Sequence, residues 1–76
     1  METKRMDAQI AELRTAYNDG FSDGEWDMFE MISSMFFGKQ CYFLEDSGVV
    51  YSRLTCKYLP TKEDAYNEFI DHYSKW

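Results

Sequence analysis

The sequence predicts a single small α+β domain of order α-α-β-β-α, in which a β-hairpin packs against three helices. Three observations point there. Apolar residues recur at helical spacing in the first half of the chain and again at its end. Two β-rich runs flank Glu45-Asp46-Ser47-Gly48, a turn sequence ending in glycine. A chain of 76 residues with 6 Phe, 6 Tyr and 2 Trp supplies one aromatic core and has no room for a second, so residues 1–76 form one domain.

The first helix is expected over about 3–18, where Met6, Ile10, Leu13 and Tyr17 are spaced as one face and Ala16 flanks them. Asn18-Asp19-Gly20 stops it. Ser22-Asp23-Gly24-Glu25 has the form of a capping box, and Phe21 just before it is placed to staple onto the next turn. The second helix, about 23–37, carries Met28, Phe29, Ile32, Met35 and Phe36 on one side, with Trp26, Met31 and Phe37 widening the apolar surface, and Gly38 ends it. The hairpin follows at about 40–44 and 49–58. A four-residue loop sets Tyr42 opposite Tyr51 and Phe43 opposite Val50. Alternation then puts Cys41, Phe43, Val50, Ser52, Leu54, Cys56 and Tyr58 on the core face, and Gln40, Tyr42, Leu44, Val49, Tyr51, Arg53, Thr55 and Lys57 on the outer one. The second strand outruns the first, leaving an edge open to a partner strand or a homodimer. Pro60 closes it, Thr61 caps the third helix (about 62–75), and Ala65, Tyr66, Phe69, Ile70, Tyr73 and Trp76 form that helix's apolar face.

Charge narrows the function. With 14 acids against 8 bases the formal charge is −6, which opposes direct binding of duplex DNA. No apolar run spans a bilayer, and no apolar segment follows the bases Lys4 and Arg5, so no membrane partner and a cytoplasmic location are expected. Cys41 and Cys56 then read as reduced, buried thiols, and with the lone His72 they lack zinc-site spacing. The glycines at 20, 24, 38 and 48 are too scattered for a phosphate loop. A non-enzymatic protein without a cofactor is the expectation.

The acids are patterned. Asp23, Asp27 and Glu30 form a stripe on the second helix, and Asp64, Glu68 and Asp71 repeat the spacing on the third, beside Glu63. Neighbours on such a stripe lie roughly 6 Å apart, the order of adjacent phosphates along a nucleic acid. A protein-binding module is therefore expected, one that could sit in the basic cleft of a nucleic-acid enzyme. In size, charge and simplicity the chain is similar to the anti-CRISPR and anti-restriction inhibitors of phages and mobile elements, although no motif carries that likeness. Two alternatives accompany it. Tyr42, Tyr51 and Arg53 on the hairpin face suit a structural or homo-oligomerising role. The segment 19–30 resembles an EF-hand loop, with Asp19, Asp23, Gly24, Asp27 and Glu30 at ligand-loop positions and Trp26 at the apolar one. That resemblance implies calcium binding, although Phe21 occupies a position where an oxygen ligand belongs.

Overall fold

The computed structural model describes residues 6–75. Three helices, α1 (Asp7–Asn18), α2 (Asp23–Phe37) and α3 (Lys62–Lys75), and three strands, β1 (Tyr42–Leu44), β2 (Val50–Ser52) and β3 (Lys57–Leu59), follow in the order α1-α2-β1-β2-β3-α3. The strands make one antiparallel sheet, ordered β1-β2-β3. This is the expected α+β domain with one strand more than the sequence suggested. The predicted start of the first helix at residue 3 and the predicted packing of Trp76 lie outside the described residues.

The turn from α1 into α2 is built by local chemistry. Gly20 takes φ +87°, its N–H donates to the Tyr17 carbonyl (3.1 Å), and the Phe21 N–H reaches back to Ala16 (2.9 Å). These two bonds form a Schellman motif, which satisfies carbonyls that the end of α1 would leave open. Phe21 itself sits at φ +56°, uncommon for a bulky residue, and is held there by burial against Trp26, Phe29 and Tyr66. The Phe21–Trp26 contact is the predicted staple. The Ser22–Glu25 capping box forms, with the Ser22 N–H donating to Glu25 Oε1 at 3.0 Å. Gly38 ends α2 in the left-handed region, and Thr61 Oγ1 caps α3 by accepting from the Asp64 N–H at 3.2 Å.

The sheet differs from its prediction by one residue. Glu45 and Val49 are still paired (Glu45 N–H to the Val49 carbonyl, 2.8 Å), while Gly48 N–H closes a turn on the Glu45 carbonyl and Gly48 takes φ +95°. The loop is thus the three residues Asp46-Ser47-Gly48, a turn followed by a left-handed glycine, and not four. The register becomes Tyr42↔Ser52, Phe43↔Tyr51 and Leu44↔Val50. A slip of one exchanges the faces of the slipped strand. Tyr42 therefore joins Val50 and Ser52 in the core and Phe43 turns outward, correcting the expected placement of both.

The predicted second strand is also broken. At Arg53–Cys56 the chain reverses, with Cys56 at φ +57°, and Lys57–Leu59 returns as β3 alongside β2. The long edge expected to await a partner strand is therefore paired within the molecule. Cys56 and Tyr58 are exposed, not buried as the alternation suggested. Cys41 is buried as expected, and that burial raises its thiol pKa.

Phe29 lies at the centre of the core. Its ring meets those of Phe21, Trp26, Tyr42 and Phe69 at centroid distances of 4.9–5.8 Å, mostly edge-on or tilted, the arrangements aromatic quadrupoles favour. Phe69 carries the contacts onward to Phe36 and Phe37, so α2, α3 and the inner face of the sheet share one aromatic cluster.

Candidate functional site

The capping box and the staple fix where α2 begins, and burial of Trp26, Phe29, Ile32, Ser33 and Phe36 fixes which way it faces. The opposite side consequently meets solvent. Along it run Asp23, Asp27, Met31 and Met35, each four residues after the last and so stacked one turn above another over roughly 18 Å. Asp23 and Asp27 are exposed and make no side-chain hydrogen bond or ion pair among the described residues. Met31 and Met35 are 57% and 56% exposed. Met35 was expected on the apolar face, and its exposure is a correction: once Phe29, Ile32 and Phe36 fill the interface, it lies beyond the edge of the buried arc. Glu30 flanks this row, half-buried, and accepts the Trp26 indole N–H at 3.0 Å. The third member of the predicted stripe thus also satisfies a buried donor.

The stripe on α3 does not stay together. Glu68 turns toward the sheet, where its Oε2 accepts from Ser52 Oγ (2.8 Å) and Thr55 Oγ1 (3.3 Å). The Thr55 backbone N–H donates to Ser52 Oγ (3.4 Å), and its single hydroxyl proton is shared between Ser52 Oγ (3.3 Å) and Glu68 Oε2, so one carboxylate anchors the reversal between β2 and β3. Glu68 Oε1 and the Tyr42 hydroxyl are both buried and have no hydrogen-bond partner among the described residues. Burial first, and the Glu68 charge second, push the Tyr42 phenol far above its ordinary pKa. Asp71 pairs with Lys75 at 3.2 Å on the surface, and Asp64 is partly covered at the start of the helix.

The hairpin face changes membership. Tyr42 is 0% exposed and so does not belong to an outer surface, contrary to its predicted place beside Tyr51 and Arg53. The residues directly opposite one another on the outer face are Phe43, Tyr51 and Tyr58, one from each strand. The Tyr51 and Tyr58 rings lie 4.9 Å apart, and Tyr58 is 63% exposed. Arg53, two residues after Tyr51, is exposed at one end of this row.

The calcium-loop expectation does not fit the geometry. α2 already begins at Asp23, the fifth position of the would-be loop, so Asp23, Asp27 and Glu30 are strung along a helix instead of around a centre. Among the described residues no group of three or more His, Cys, Asp or Glu is placed to hold a metal ion. A groove of about 500 Å³ lies between α1 and α3, lined by Ile10, Arg14, Ile70 and Tyr73 among others. The Tyr73 hydroxyl there is already used, donating to Asp7 Oδ1 (3.0 Å) and accepting from the Met6 N–H (3.1 Å).

No protein family, curated protein or solved structure matches the chain. What the structure defines is a class: a small α+β domain of three helices and a three-stranded antiparallel sheet. Among the described residues no helix is long and apolar enough to cross a membrane.

Proposed function

We propose that the chain is a non-catalytic protein-binding module whose contact surface is the outer side of α2. One observation carries this: two exposed methionines continue a row headed by two unpaired carboxylates. Exposed thioethers are adaptable apolar contacts, suited to partner surfaces of varied shape. Carboxylates on the same row select a partner that sets basic side chains beside an apolar patch and speed its approach. The cleft of a nucleic-acid enzyme has that composition, since it neutralises phosphates with Lys and Arg and contacts bases with apolar or aromatic groups. Asp23, Asp27 and Glu30 would take the place of phosphates there, and Met31 and Met35 the place of bases. In this proposal the chain acts as a cytoplasmic inhibitor, of the kind that phages and mobile elements deploy against host nucleases.

A displacement assay tests it. Short labelled DNA is bound to a panel of basic-cleft nucleases, restriction and CRISPR effectors included, and the chain is titrated in while anisotropy is followed. Displacement from at least one enzyme, weakening with salt and lost in Asp23→Lys/Asp27→Lys, is expected. Displacement that survives both charge reversals would remove the acidic row from the mechanism.

A further inference from the structure

We propose that the outer face of the sheet docks a second copy of this chain, sheet against sheet, as a weak two-fold dimer independent of the α2 surface. The helices cover the inner face, where Tyr42, Val50 and Ser52 are buried. The outer face carries the cross-strand row Phe43, Tyr51 and Tyr58, and aromatic side chains at an interface centre dominate binding energy.

Charge selects the occupant. A polyanion is opposed by the −6 total and by Glu45, which lies at the loop end of this same face. Two like-charged copies, in contrast, meet at least cost where acids are scarce, and on β2, β3 and the reversal between them the outer face carries Arg53 and no acid. The face is also self-complementary. Glu45 N–H pairs with the Val49 carbonyl and Arg53 N–H with the Cys41 carbonyl (2.8 Å each), the first two residues above the aromatic row and the second two residues below it. Alternation places Glu45 with Phe43 and Arg53 with Tyr51 on the outer side, and both are exposed. A two-fold axis lying along the row, between facing sheets, stacks like ring over like ring. It carries Arg53 of each copy to Glu45 of the other, at both ends of the contact. Three short strands bury far less than the ~800 Å² per partner of a standard interface, so association is transient.

Sedimentation velocity on the full chain, from about 10 μM to about 1 mM, reads the result. The average mass is expected to rise with concentration. Tyr58→Lys, at an exposed position outside the core, should weaken association by about tenfold or more. Glu45→Arg and Arg53→Glu should each weaken it, while an equimolar mixture of those two variants should associate more strongly than either alone, because only the mixed pair has both contacts of opposite sign. Melting curves confirm that each variant is folded. A monomer throughout the range, a dimer indifferent to Tyr58→Lys, or a mixture no better than its components would overturn the proposal. So would tight binding of single-stranded oligo(dT) by a monomer, which would assign the row to base stacking.

Discussion

α2 and α3 carry acids at the same spacing, Asp23–Asp27–Glu30 and Asp64–Glu68–Asp71, yet the two middle residues have opposite fates. Asp27 faces water, whereas Glu68 is drawn beneath the β2–β3 reversal by the hydroxyls of Ser52 and Thr55. Periodicity determines which acids share a helix face. What lies across from that face determines whether they are surface charges or structural ligands. Among the described residues nothing covers the flank of α2 opposite its buried side, and Asp23 and Asp27 stay exposed there. α3 packs against the sheet, and a buried carboxylate there must find donors.

The largest effects test which side of each element faces in. Tyr42→Asp would bury a second carboxylate near Glu68 and beside Phe29 and should cost about 4 kcal/mol or more, enough to unfold a domain this size, whereas Phe43→Asp should be tolerated. Urea melts of the two variants distinguish the observed register from one slipped by a residue, in which the tolerances would be exchanged. Next comes the direct contrast between the stripes. Glu68→Ala strips two hydroxyls of a charged acceptor and should lower stability by about 1.5–3 kcal/mol, while Asp27→Ala should stay within about 0.5 kcal/mol. Equal losses in a denaturant titration would erase the distinction.

The helix starts supply a smaller comparison. Ser22→Ala and Thr61→Ala should each cost about 1 kcal/mol by thermal melting, because each removes an N-cap acceptor. Only the α2 cap is reciprocal, and it adds a pH dependence. The Ser22 backbone N–H holds the Glu25 carboxyl below its ordinary value of 4.5. The ionised cap therefore stabilises the fold above that value, and its contribution is lost as pH falls through the lower, folded one. The melting-temperature gap between the natural chain and Glu25→Gln should narrow on acidification through that window, with no matching change for Thr61→Ala. The smallest effect belongs to Tyr42→Phe. Removing a buried hydroxyl that has no partner among the described residues should leave stability unchanged or raise it by up to about 1 kcal/mol.

Local signals were legible wherever the chemistry was local. Ser22 with Glu25, Thr61, Gly20 and Gly38 marked real helix ends, and the apolar spacing of Ile10, Leu13 and Ala16 marked a real buried face. The sheet is less legible because its turns are counted in single residues. Glu45-Asp46-Ser47-Gly48 allows a three- or four-residue loop, and the difference exchanges Tyr42 with Phe43. The reversal at Arg53–Cys56 holds no Gly, Pro or Asn to announce it. Cys56 takes its positive φ because the β2–β3 pairing and the Glu68 anchor close around it. Of the candidate site, Asp23 and Asp27 were visible as a stripe, but Met31 and Met35 were not. Four-residue spacing from Asp27 was the available signal, and an apolar side chain on a mostly apolar helix hides it.

Carboxylate footprinting measures the contrast between the stripes without a partner. The folded chain is coupled to glycine ethyl ester with a carbodiimide, and labelling at each acid is followed by mass spectrometry over time. Asp23 and Asp27 should label at the rate of free surface carboxylates, while Glu68 stays protected until denaturant unfolds the chain. Labelling of Glu68 as fast as Asp27 in the folded protein would contradict the account.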